Sequence, residues 1–282
     1  MAGEALRPSE AAAVAAWAAM VDADAEQVAR VREPEPAGDF YGSIAPRFRP
    51  GARPSIELPP LLTHAEPGDT WLDIGAGGGR FALPLSEHVA RVIAVEPSEA
   101  MRDVLRDAIR SGARPNIEVR DLYWPSLAWA GDVDVSFAAH SIYDVREIVP
   151  FLDAMEAHSR RTCIAILADQ PRGAHLAPLF EAVHGEPFAP LPGLREFVAL
   201  LSARNRRFEV TTVSGEPAEV TSLDDAATFA RRLLWLTADS EKDRQARALV
   251  EQWWSVPGGV RLPQARGFFG IVAWEPVQQQ RG

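Results

Sequence analysis

The spacing of apolar residues changes character near residue 69. Before that point, residues 9–31 are rich in alanine and place Trp17, Met20, Val21 and Val28 on one stripe behind Ser9, a good N-cap, so they predict a helix. Residues 33–60, rich in Pro, Gly and Arg, read as an irregular connector containing Phe40-Tyr41. Beyond it, short apolar runs alternate with helical stretches. Runs at 71–74, 91–96, 116–120, 133–138 and 161–168 predict strands, and 98–110 and 145–159 predict helices between them. Alternation of this kind predicts a parallel sheet with right-handed crossovers that place helices on both faces.

The last third is less regular. Residues 194–201 read as a helix, 208–213 as a strand, 223–254 as two helices capped by Ser222 or Asp224, and 268–274 as a final strand. The expected fold class is therefore α/β: a doubly wound, Rossmann-like, mostly parallel seven-stranded sheet, with an N-terminal helical segment and a helical insertion before the last strand. Residues 1–60 would form the helix and a connector covering the site, and 61–282 the α/β domain, with a lid-like insertion at about 222–256. Pro84 conflicts with a long helix after the first strand, because it lacks the N–H and clashes with the preceding turn. A kink or a shortened first turn is expected there.

The strongest chemical signal is Asp73-Ile74-Gly75-Ala76-Gly77-Gly78-Gly79-Arg80, which follows a strand and opens a helix. Glycines there permit a tight turn and close approach of a ligand to the backbone. The dinucleotide pattern G-x-G-x-x-G fails from Gly75, where Arg80 takes the last position, but is met from Gly77 with Ala82 in the final place. No Gly-Lys-Ser/Thr follows, which argues against a phosphate loop. Glu96 ends the second strand, where a carboxylate can accept from both hydroxyls of a ribose.

These residues resemble the class I S-adenosylmethionine (SAM)-dependent methyltransferases of the bacterial small-molecule type, over roughly residues 69–170. Asp73, Gly75, Gly77 and Gly79 match the family's acid followed by G-x-G-x-G, and Glu96 matches its ribose-binding acid. The resemblance implies that SAM is held by Tyr41, Asp73, Gly75, Ala76, Gly77, Glu96, Pro97, Met101, Asp121, Leu122, Ala139 and His140. In it, Met101 packs on the adenine, Asp121 faces the adenine amine, Ala139-His140 lines the methionine side, and the segment around Tyr41 folds over the cofactor. The implied reaction is methyl transfer (EC 2.1.1 type) to a small-molecule nucleophile, with S-adenosylhomocysteine as product. His140 and Tyr143 are the catalytic candidates, His140 as a base or a pocket wall, Tyr143 as an orienting or packing group. No Asn-Pro-Pro-Tyr motif follows the fourth strand, which argues against DNA adenine or protein glutamine methylation.

Composition narrows the partners. The net charge of −10 disfavours a phosphate backbone, so no nucleic acid is expected. Two basic clusters, at Arg47, Arg49 and Arg53 and at Arg204, Arg206 and Arg207, read as solvated surface, although the first could attract an anionic substrate. The single cysteine, Cys163, sits in an apolar run and reads as core. No apolar run approaches the ~20 residues needed to span a bilayer and no secretory signal leads the chain, so a cytoplasmic location without membrane contact is expected. The histidines share no ligand spacing, so no metal is expected. Trp124, Trp235, Trp253 and Trp254 could line a substrate wall or fill a core, and His175 could stand at the rim of the site. An NAD(P)-dependent oxidoreductase and a non-catalytic SAM-binding regulatory module remain the alternatives. The oligomeric state stays open.

Overall fold

The computed structural model describes residues 8–34, 55–170, 173–214, 220–263 and 267–277. In chain order the elements begin with helix α1 (Glu10–Val31), helix α2 (Leu58–Leu62), strand β1 (Thr70–Ile74), helix α3 (Ala82–Leu85), strand β2 (Arg91–Val95) and helix α4 (Glu99–Gly112). Strand β3 (Ile117–Arg120), strand β4 (Val133–Ala139), helix α5 (Ile148–His158), strand β5 (Ser159–Ala168), helix α6 (Ala177–His184), helix α7 (Leu194–Ala203) and strand β6 (Phe208–Ser214) follow. Helix α8 (Leu223–Leu233), helix α9 (Glu241–Trp254), a small hairpin of β7 (Ser255–Val256) and β8 (Gly259–Val260), and strand β9 (Phe268–Trp274) complete it.

Seven strands form one sheet in the order β3-β2-β1-β4-β5-β9-β6. All neighbouring pairs are parallel except those made by β9, which runs antiparallel to both β5 and β6. Alternate residues of the central strands enter two separate apolar layers. Leu72, Ile74, Ile93, Val95, Cys163, Ala165 and Leu167 pack with residues of α1, α5 and α7. Trp71, Val92, Ala94, Phe137, Ile164 and Ile166 pack with Leu61 of α2, Leu85 of α3 and Leu105 of α4. Burial on both faces is what a near-continuous apolar strand sequence requires.

The seven expected strands all form, with ends shifted by a residue or two. Pro84 acts by shortening: α3 is only the 4 residues Ala82–Leu85. Four of the longer helices start as their sequence requires, with Ser9, Ser98, Ser222 and Ser240 each accepting from a backbone N–H in the first turn. The N-terminal helix is part of the main core. Trp17 is fully buried against Phe197 of α7, and its indole N–H donates to the carbonyl of Val145 at 2.8 Å.

Residues 177–184, where the sequence reading named no element, form α6, which joins α8 and α9 in a separate apolar cluster. Leu179, Phe180 and Val183 meet Ala226, Ala230, Leu234, Ala246 and Val250 there. The helical pair between β6 and β9 thus joins α6 in a small three-helix body, tied to the segment after α1 by the Glu33 N–H, which donates to Trp235 O at 2.9 Å. No helix among the described residues is long and apolar enough to cross a membrane.

Candidate active site at the strand switch point

Strand order reverses between β1 and β4: the chain leaves β1 toward β2 on one side and returns to β4 on the other. The crevice beyond the carboxyl ends of such strands is where open α/β sheets take ligands. Ile74, Val95, Arg120 and Ala139 are the last residues of the strands there. Most of the residues that the sequence marks as chemical follow directly after these four.

The glycine loop leaves β1 through Gly75 at φ +75°, and its N–H donates to Val95 O at 2.8 Å. A β-carbon at Gly75 would lie 2.5 Å from the β-carbon of Ser141, so glycine is required by the neighbouring loop. Gly77, at φ +54°, has nothing within 4 Å of the place a β-carbon would take. This left-handed residue therefore borders open space, which suits close approach of a ligand.

Two carboxylates flank the loop. Glu96 accepts the Gly77 N–H and the Ser98 N–H, each at 2.8 Å, which fixes its side chain across the mouth of the crevice. Asp73 is buried, and its Oδ2 has no hydrogen-bond partner. Burial, and then the negative charge of Glu96, push the Asp73 carboxyl well above the usual carboxylate range. A buried polar atom left orphaned is uncommon in folded proteins and points to an absent partner. A cationic donor would answer both the orphaned oxygen and the raised proton affinity.

The adenine side was expected to be built from Met101, Asp121 and Leu122. Met101 is buried and Leu122 half-buried. Asp121 is exposed, and its carboxylate pairs with Arg102 Nη1 at 2.8 Å. The same Nη1 donates to the carbonyls of Glu96 and Pro97 at 3.0 and 2.7 Å, so Arg102 ties the loop after β2 to the loop after β3. Pro97 and Ala139 are half-buried at the crevice, and Ala76 is buried. Tyr41, Phe40 and the cluster Arg47, Arg49 and Arg53 lie outside the described residues.

His140 follows β4 directly and adopts φ +57°, a left-handed conformation uncommon outside glycine. Its Nδ1 lies 2.8 Å from the Tyr143 hydroxyl, which accepts the N–H of Ala168 at 2.8 Å. Its Nε2 lies 3.2 Å from Oε1 of Glu57, and Phe269 of β9 meets the ring edge-on with centroids 5.4 Å apart. Glu57 is fully buried. Burial would raise its carboxyl, but the His140 hydrogen bond and the Arg80 charge outweigh that and hold it down at about 2. Its Oε2 accepts from Arg80 Nη2 at 2.8 Å and from the Ser55 hydroxyl at 3.0 Å. The structure brings His140 and Tyr143 together and adds two groups that the sequence reading missed. Glu57 precedes Leu58-Pro59-Pro60 in a stretch with no chemical pattern, and Arg80 had registered only as the departure from a dinucleotide motif.

The tryptophans do not form one wall. Trp124 meets Trp129 and His158, Trp235 carries Arg32 over its ring, and Trp253 meets Trp254. His175 is half-buried and stacks on Phe229 of α8, and burial lowers its proton affinity. Arg204 and Arg206, expected at the surface, are instead packed in: Arg206 pairs with buried Glu156 at 2.7 Å, and Arg204 pairs with Asp153. Among the described residues no group of three or more His, Cys, Asp or Glu side chains could hold a metal.

Residues 72–161, which run from β1 into β5, match the family model of a methyltransferase domain. This segment is thus similar to a methyltransferase domain. The same fold recurs in solved structures of low sequence identity. A candidate methyltransferase from Bacillus halodurans C-125 is 14% identical with a TM-score of 0.57, covering 79% of this chain and 100% of its own. The YcgJ protein of Bacillus subtilis is 14% identical with a TM-score of 0.56, covering 77% and 96%. A candidate methyltransferase from an antibiotic biosynthesis pathway of Anabaena variabilis ATCC 29413 is 19% identical with a TM-score of 0.53, covering 78% and 97%. At these identities the likeness speaks for the fold. A search of curated proteins found no match.

Proposed function

We propose that the protein is a SAM-dependent methyltransferase that acts on a small-molecule acceptor. The observation that carries this reading is the orphaned, buried Asp73 carboxyl beside Glu96 and the open space at Gly77, all at the β1–β4 switch point. SAM carries a sulfonium and an ammonium, and its adenosine carries a ribose diol. Asp73 would answer the ammonium, Glu96 the diol, and the glycine loop would let the backbone lie close against the ligand. When bound, SAM supplies an electrophilic methyl group.

The protein's own part is to align an acceptor, exclude water and receive a proton where the acceptor carries one. His140 and Tyr143 stand beyond β4, on the side assigned to the methionine end. Phe269 adds an apolar surface there, and the α6–α8–α9 body with the N-terminal segment would cover the acceptor. Such a half-enclosed setting suits a small molecule better than a polymer. The acidic chain and the want of any nucleic-acid motif in its sequence support the same choice.

Thermal unfolding with SAM, S-adenosylhomocysteine, NADH and NADPH in separate samples tests the reading. A ligand at about 100 times its Kd adds roughly 2.7 kcal/mol, a shift of several degrees. Stabilisation by the two adenosyl ligands alone is expected. Stabilisation by a nicotinamide ligand alone overturns the reading in favour of an oxidoreductase.

A further inference from the structure

We infer that Glu57 is a positioning residue for His140: it holds the imidazole with Nε2–H toward its own carboxylate, so that Nδ1 beside Tyr143 is the atom that takes up the acceptor's proton. The inference rests on the methyltransferase reading and deepens it. Glu57 is the one carboxylate in direct reach of the His140 ring among the hydrogen bonds described, and it is fully buried.

The geometry assigns each group one task. Arg80 and Ser55 occupy Oε2 of Glu57, and Oε1 is left to the ring. A charged carboxylate only accepts, so Nε2 must carry the hydrogen. Nδ1 then meets the Tyr143 hydroxyl at 2.8 Å and is the ring's site of proton uptake. The left-handed backbone at His140 aims the ring across the crevice between the two partners, and Phe269 closes one edge. The charge that develops on an imidazolium would be balanced by Glu57 a hydrogen bond away, the general arrangement by which a carboxylate orients a histidine base.

With SAM bound, the acceptor heteroatom would gain the methyl carbon as the carbon–sulfur bond breaks and its electron pair stays on sulfur, and this chain's residues would take the proton. The acceptor's proton passes to the Tyr143 oxygen as the phenolic proton moves to Nδ1 of His140, leaving an imidazolium that donates to Glu57. Arg80 gives the arrangement a second link. It sits at the end of the glycine loop, so the group that anchors Glu57 belongs to the segment that would hold the cofactor. An arginine that spoils a dinucleotide motif thereby acquires a purpose.

Nitrogen-15 NMR of ring-labelled histidine, at pH ~9 where an ordinary imidazole is neutral, reads the tautomer directly. The His140 signals are assigned by their loss in His140→Gln. The wild-type protein should show a single tautomer with hydrogen on Nε2, and folded Glu57→Gln should shift to a mixture. Glu57→Asp should restore part of the single-tautomer signal, which a merely structural role for Glu57 would not do. Hydrogen on Nδ1 in the wild type, or unchanged ring signals in folded Glu57→Gln, overturns the inference. If Glu57→Gln does not fold, the wild-type spectrum and Glu57→Asp decide alone. Calorimetric binding of S-adenosylhomocysteine to the wild type is measured beside it. Its failure would remove the methyltransferase reading, whereas binding with the wrong tautomer would remove only the role of Glu57.

Discussion

Gly75 and Ser141 touch across the switch point so closely that no side chain fits between them. A β-carbon on Gly75 would stand 2.5 Å from that of Ser141, while the Ser141 hydroxyl donates to the carbonyl of Ile74 at 2.7 Å. The loop after β1 and the loop after β4 are therefore locked as one unit, and the glycine loop and His140 keep a fixed relation. Gly75→Ala should cost ~2–3 kcal/mol of stability, from overpacking and from the left-handed backbone together. Urea unfolding measures it, and an unchanged midpoint would show that the two loops are not locked.

Gly77 calls for a different result. Its missing side chain borders open space, so Gly77→Ala should lose only ~1–2 kcal/mol of stability, from backbone strain. Adenosyl-ligand binding should fall about tenfold or more, since tenfold is only ~1.4 kcal/mol. Glu96→Ala should weaken binding by a similar factor through lost charged hydrogen bonds. Calorimetry with S-adenosylhomocysteine checks both, and unaltered affinity in the two variants would remove the cofactor site from this crevice.

Asp73 is held above the usual carboxylate range in the folded chain, so the folded state binds a proton that the unfolded state releases at lower pH. For a carboxyl shifted upward, stability declines as pH rises beyond the unfolded value. Asp73→Asn should therefore stabilise the empty protein at neutral pH, by ~2 °C or more in melting temperature, while weakening the cationic cofactor. A melting curve and a binding isotherm on one variant should move in opposite directions.

Glu57 has the opposite sign. Against the effect of burial, the His140 hydrogen bond and the Arg80 charge hold its carboxyl down at about 2, below the ordinary 4.5, so its contribution is full above pH 4.5 and is lost as pH falls toward 2. The lost stability is about 3 kcal/mol at most. Glu57→Gln should flatten the stability profile across this acid window. Denaturant unfolding at several pH values measures it, and parallel profiles for wild type and variant would contradict the low value.

Trp17→Ala should cost ~3–5 kcal/mol, because the indole is fully buried and its N–H bond to Val145 is lost. Hydrogen exchange over α1 would show the helix opening before the sheet does, and uniform exchange would refute a local release.

The centre of the sheet was legible because its strands are buried on both faces, which leaves apolar runs within 71–74, 91–95 and 161–168. The glycine loop, Asp73 and Glu96 were legible because their order along the chain mirrors their order around the crevice. Glu57 was not, since its meaning comes from contacts with Arg80 and His140 on elements 23 and 83 residues away. Helix α6 was missed for a related reason: eight residues give too short a period, and its burial is supplied by α8 and α9. The basic pair Arg204 and Arg206 looked like surface because nothing local announces the acidic residues of α5 that receive them.

The reversed last strand has a final consequence. Ser214, the end of β6, is the register partner of Phe268, the start of β9. The chain between them leaves and re-enters the sheet at adjacent points on its ligand edge, where a tight hairpin would also have served. Helices α8 and α9 therefore sit on an excursion whose length and sequence can drift without disturbing any pairing of the seven-stranded sheet. Among chains that share this sheet, the contacts offered at that edge could be rewritten there while every strand stays where it is.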